Sequence, residues 1–143
     1  MATSQVHAVK NALVTVLTAL WPAPVWVGYG HPGTLRVNDM IAVMDATAVQ
    51  VGGPMGGPRV REETIQAQVL FSVYRGGNDQ ATVTARAFAM LAALETSLRT
   101  DPTLGITGAR LGQVTSIDLA EEASTSGRVA ELAVAVQIVV RLA

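Results

Sequence analysis

The sequence predicts one two-layer α+β domain spanning residues 1–143: a mainly antiparallel β-sheet with two α-helices packed on one face, in the order α-β-β-β-α-β-β. Three observations predict it. Two segments repeat their apolar residues every three or four positions, the spacing of an amphipathic helix. Two others alternate apolar and polar residues, the spacing of a strand with one buried face. The chain has 143 residues, enough for a single domain that buries about 70% of the surface its unfolded form exposes, and no stretch of it reads as a linker or an internal repeat.

Ser4 stands as an N-cap ahead of Val6, Val9, Leu13, Val16, Leu17 and Leu20, a single stripe at helical spacing. Pro22 and Pro24 stop that helix. A short extended piece, Val25 to Val27, leads into the turn residues Gly28 to Gly33. Residues Asp39 to Val51 carry no helical stripe and are rich in β-formers, which predicts a strand with a bend near Asp45. The run Gly52-Gly53-Pro54-Met55-Gly56-Gly57-Pro58 suits neither regular element and is a loop. The clearest strand follows, where Ile65, Ala67, Val69, Phe71 and Val73 alternate with Thr64, Gln66, Gln68, Leu70 and Ser72. Gly76-Gly77-Asn78 turns the chain into an alanine-rich helix from Asp79 to Leu98, with Ala87, Leu91, Leu94 and Leu98 on one side, and Asp101-Pro102 ends it. Ala109 to Leu119 forms a strand, Glu121 to Gly127 a polar hairpin loop, and Val129 to Leu142 a last strand whose even-numbered residues from Leu132 to Leu142 are apolar. The core therefore sets Val9, Leu13, Leu17, Leu91, Leu94 and Leu98 against the apolar strand faces.

Composition narrows the function. Half the residues are apolar and only 15% are charged, against about 25% in an ordinary soluble domain. The longest apolar runs, Ala12 to Trp21 and Val129 to Leu142, are broken by polar residues and fall short of the roughly 18 a membrane span needs. Met1 to Gln5 holds no basic region of the kind that opens a secretory leader. Burial between subunits accounts for the deficit of charge, because interface cores are depleted in charged residues, and an oligomer is expected. The net charge of −1 provides no basic footprint for nucleic acid or anionic lipid. With no cysteine there are no disulfides, thiolate metal sites or thiol nucleophiles.

Chemical motifs fail their contexts. Gly28-Tyr29-Gly30-His31-Pro32-Gly33 satisfies G-x-G-x-x-G, yet no helix is predicted after it to receive a pyrophosphate. Gly52 and Gly57 have P-loop spacing, but Pro58 and Arg59 replace the lysine and hydroxyl. The two histidines, His7 and His31, lack metal-ligand spacing, and no G-x-S-x-G is present for a triad. Glu62-Glu63 and Glu121-Glu122 split between opposite strand faces, so they read as solvated strand ends rather than catalytic dyads. Trp21 and Trp26 read as packing the helix end onto the sheet. No catalytic residue, cofactor or metal is expected.

The glycine-proline loop is the exception. A segment that contributes no packing yet sits between two strands is either idle or held for contact outside the subunit. Met55 is an adaptable apolar tip, and Arg59 and Arg61 at the base are placed to pair with carboxylates on a partner. Gly53, Met55, Gly56, Arg59, Arg61 and Glu62 are the candidate interface residues.

The amphipathic first helix, the Gly/Pro loop, the strand opening Arg59-Val60-Arg61-Glu62-Glu63-Thr64-Ile65, the Ala-rich helix, the turn Asp101-Pro102-Thr103-Leu104-Gly105 and two closing strands together resemble the tail terminator family of long-tailed bacteriophages, over nearly the full chain. The order and spacing of these motifs carry the resemblance. The family pattern often has a second glycine after the turn, where this chain has Ile106. The resemblance implies a structural protein that forms a ring, commonly a hexamer, on the head-proximal end of the tail tube. Such a ring halts tube growth and offers a docking face to the head-tail connector or stopper protein. It also implies assembly in the host cytoplasm and residence in the virion, with the candidate loop touching the tail tube protein or the neighbouring subunit. On the residues alone, a head-tail stopper or other neck protein stays open, as does a small dimeric α+β enzyme or ligand-binding domain.

Overall fold

The structure, a computed structural model, describes residues 3–33, 38–52 and 61–142. Its elements are α1 (Val6–Leu20), β1 (Trp26–Tyr29), β2 (Asp39–Gly52), β3 (Arg61–Gly76), α2 (Gln80–Thr100), β4 (Ala109–Ala123) and β5 (Gly127–Leu142). The expected α-β-β-β-α-β-β order and the α+β class are what is found. The five strands form one sheet in the order β1-β2-β3-β5-β4. All neighbours are antiparallel except β1, which runs parallel to β2 from Trp26↔Met40 to Tyr29↔Val43.

Alternation decides which face is buried. On β3, Ile65, Ala67, Val69, Phe71 and Val73 are fully buried, and so are Leu132, Val134, Val136 and Ile138 on β5. Their partners in the helix layer are Val9, Leu13 and Leu17 of α1 and Ala87, Met90, Leu91, Leu94 and Leu98 of α2. Among the described residues the other face of the sheet carries no helix, and it is polar at its centre, where Gln66 donates to Gln137 at 3.0 Å.

Local chemistry sets the boundaries. The helix α1 begins one residue later than Ser4 suggests: Gln5 is the N-cap, and Ser4 Oγ accepts from the Val6 N–H at 3.1 Å. Asp79 caps α2 by accepting from the Thr82 N–H at 3.1 Å. The bend near Asp45 is a β-bulge between Val43 and Ala46. Strand β4 runs four residues past Leu119, to Ala123, so the polar loop expected over Glu121 to Gly127 shrinks to a turn at 124–126. Nothing in Glu121-Glu122-Ala123 favours a strand locally; pairing with Val129, Ala130 and Arg128 imposes it. Lower down, β4 bulges at Leu111, whose φ is +60°, and Gly112 follows with its N–H donating to Pro102 O at 2.8 Å. A Cβ on Gly112 would lie 2.4 Å from that oxygen, so only glycine lets the Asp101–Gly105 turn dock on the strand. Within that turn Gly105 has φ +73°, while Ile106, where the tail-terminator pattern often has glycine, packs partly buried against the core.

Candidate functional site

The candidate interface residues divide at the base of the β2–β3 hairpin. Gly53, Met55, Gly56 and Arg59 lie outside the described residues. Arg61 and Glu62 lie within them, at the last rungs of the ladder, where Gly52 faces Arg61 and Val51 faces Glu62. Arg61 donates to Gln50 Oε1 at 3.3 Å, and Glu62 accepts from Arg110 of β4 at 2.8 Å, across β5. Glu62 and Arg110 point to the helix-free face, which at this end also exposes Val49 and Val51, 65% and 55% accessible. Two exposed valines beside a surface ion pair make a mixed apolar and charged rim.

The two glutamates of the Glu62-Glu63 pair separate onto opposite faces as expected, but Glu63 corrects the expectation of a solvated strand end: it is fully buried. Its carboxylate accepts from the Gln5 backbone N–H at 2.7 Å and from Gln50 Nε2 at 2.8 Å, and Gln50 also donates to Thr3 O at 2.8 Å. Burial alone would raise its pKa, yet the hydrogen bonds from Gln50, Gln5 and Ser4 and the charge of Arg61 outweigh that and hold it below the usual value. A carboxylate at the start of α1 also meets the positive end of the helix dipole. Glu63 thus ties the first helix to the hairpin that carries the candidate loop.

A second buried carboxylate, Asp39, was not singled out from the sequence. It accepts from Arg75 at 2.7 Å and from Arg86 Nε and Nη2 at 3.2 and 3.0 Å. Arg86 comes from α2 and lies 4.7 Å from the centre of the Trp21 ring, so one cluster joins the start of β2, the end of β3, α2 and the end of α1. Burial pushes the Asp39 pKa up, but the two guanidinium groups hold it below 3.8. The network is saturated with charge-assisted bonds, which makes it a clasp.

The histidines stay apart from such clusters. His7 Nδ1 sits 3.1 Å from the Tyr29 hydroxyl and its Nε2 3.0 Å from Asn11 Nδ2, while His31 Nδ1 accepts from the Gly33 N–H at 2.9 Å. The glycine motif from Gly28 spends its first two residues in β1, where Trp26 lies across Gly28, and the next described element is the strand β2. Among the described residues no group of acids and histidines could hold a metal ion, and no helix is long and apolar enough to cross a membrane. A shallow depression of about 250 Å³ lies over the β2 bulge, with Asp45 the one titratable residue among Met44, Gln68, Val69, Leu70 and Ala133.

No protein-family model matches the chain, and no curated protein matches it. Among solved structures, it is similar to a chain from the virion of a native gene transfer agent (GTA) particle, with a TM-score of 0.56 at 15% identity, covering 96% of this chain and 98% of that one. At that identity the likeness is one of fold. It covers nearly the whole of both chains.

Proposed function

We propose that this chain is a structural component of a phage-like virion, and specifically a tail terminator: a ring on the head-proximal end of the tail tube that stops tube polymerisation and presents a docking surface to the head connector. The observation that carries this reading is the end-to-end fold likeness to a chain of a GTA virion, which agrees with the family that the order of sequence motifs resembles. The physical chemistry supports it. A chain with 15% charged residues, exposed valines at a hairpin base and two buried acids already committed to holding the domain together is suited to contact rather than to turnover. Its role is therefore structural, not enzymatic, and its partners are further copies of itself, the tail tube protein and a connector or stopper protein.

The test is electron microscopy of the tube protein polymerised with and without this chain. Tubes capped at one end by a ring, and shorter than the controls, are expected. Binding to the connector with no effect on tubes would reassign the chain to the stopper side of the neck.

A further inference from the structure

We propose that copies of this chain join edge to edge, the outer side of β4 in one copy pairing antiparallel with the outer side of β1 in the next, so that the sheets run on from subunit to subunit. The inference rests on the ring reading above and supplies the contact that closes the ring.

Strand sense is the first argument. The strands β1 and β4 are the two ends of the sheet, and among the described residues neither has a strand partner on its outer side. Since β1 is parallel to β2, and each later step across β3, β5 and β4 reverses direction, β1 and β4 point opposite ways. A neighbour added head to tail therefore meets the edge in the antiparallel sense, the more stable pairing.

The second argument is the side chains along those edges. Two rows cross the whole sheet on the helix-facing side: Tyr29, Val43, Val69, Val134, Ile117 and Val27, Ile41, Phe71, Leu132, Leu119. The inner three residues of each row are fully buried, whereas Tyr29, Ile117 and Leu119 at the ends are 47%, 43% and 42% accessible. The first row thus has a half-exposed side chain at each end, Tyr29 and Ile117, and the second row has one at its β4 end, Leu119, while Val27 at its other end packs partly buried against the core. Edge-to-edge addition brings Tyr29 of one copy against Ile117 of the next, an aromatic and β-branched cross-strand pair of the favourable kind.

Charge matches as well. Between Ser116 and Ala123, where β4 pairs with β5 without a break, the strand holds three acids, Asp118, Glu121 and Glu122, and no basic residue. Beside Tyr29 on the other edge lies Lys10, its Nζ 4.1 Å from the ring centre, the sole lysine of the chain. An acidic edge that meets a basic one selects a second copy in head-to-tail order and rejects the like-with-like pairing of two β4 edges. Such a heterologous contact makes a closed ring when the rotation per step divides a circle.

The absence of cysteine makes the test clean. Residues directly opposite in an antiparallel pair have Cα atoms about 4.5–5.5 Å apart, within disulfide range. On mild oxidation, the double variant Tyr29→Cys/Ile117→Cys is expected to give a ladder of covalent multimers that ends at the ring number, and either single variant no species beyond a dimer. Ile117→Lys is expected to keep the circular dichroism and melting temperature of the parent and to weaken self-association about tenfold or more. Rings seen by native mass spectrometry without a ladder would overturn the edge pairing and leave the ring reading standing. A ladder without closed rings would uphold the pairing and count against the terminator. Neither ladder nor oligomer would overturn both.

Discussion

Replacing Asp39 with asparagine tests the clasp between the two layers. The substitution keeps the shape of the side chain and removes its charge, leaving the Arg75 and Arg86 guanidinium groups facing each other. Breaking a buried ion pair by removing one partner costs about 3–5 kcal/mol. Here the Asp39 side chain is 9% accessible but its partners are 40% and 35% accessible, so both arginines can rehydrate and the expected loss is about 2 kcal/mol. For a chain of this size that lowers Tm by about 6 °C. The pH dependence is the sharper readout. Because the folded-state pKa of Asp39 lies below 3.8, the carboxylate's contribution is complete above the unfolded value and is lost as pH falls through the folded one. Thermal melts followed by circular dichroism at pH 7 and pH 3 should therefore show a gap between parent and Asp39→Asn that narrows at the lower pH. Glu63 titrates in both proteins and cancels from the difference. A gap that is the same at both pH values, or under about 0.5 kcal/mol at pH 7 as for an ordinary surface change, would refute the clasp.

Other outcomes follow from the same geometry. Val69→Asp and Val136→Asp, each placing an unpaired charge at a fully buried position, should abolish cooperative folding; soluble, cooperatively melting variants would show the sheet faces reversed. Gly112→Ala should lower Tm measurably, because its Cβ would meet Pro102 O at 2.4 Å and the Asp101–Gly105 turn must lift off β4. His7→Ala and His31→Ala should leave self-assembly and tube capping unchanged, and a thermal-shift screen with NAD, ATP and zinc should show no saturable rise in Tm. Shortening Gly53 to Gly57 to a two-residue turn should preserve the far-ultraviolet circular dichroism and weaken ring formation or tube binding.

What the sequence discloses here follows from where each pattern is written. Strands β3 and β5 lie at the centre of the sheet under both helices, so one face of each is uniformly apolar and alternation reports it. The bulge in β2 leaves a trace because Asp45 interrupts an apolar run. The distal part of β4 leaves none: it is exposed on both sides, so residues Ala120 to Ala123 have no reason to alternate and read as loop. The parallel pairing of β1 is equally silent, since four residues carry no sense of direction. The two buried acids were partly legible. Glu63 is in phase with Ile65, Ala67 and Val69, and Asp39 with Ile41 and Val43, so extending each apolar face toward the strand's start places a carboxylate in the core. Their partners were not legible, because Asp39 finds Arg75 and Arg86 at separations of 36 and 47 residues. Of the candidate interface residues, Arg61 and Glu62 sit at the hairpin's last rungs, and the cross-sheet bond from Glu62 to Arg110 depends on the strand order, which no local pattern encodes.

Under the proposed function this chain ends the tail. The most direct test is deletion of the chain from the particle that encodes it, with tail lengths measured by electron microscopy. Tails of uncontrolled length that fail to join heads are expected, restored to a single length by the intact chain. Tails of normal, uniform length attached to heads in its absence would contradict the proposed function.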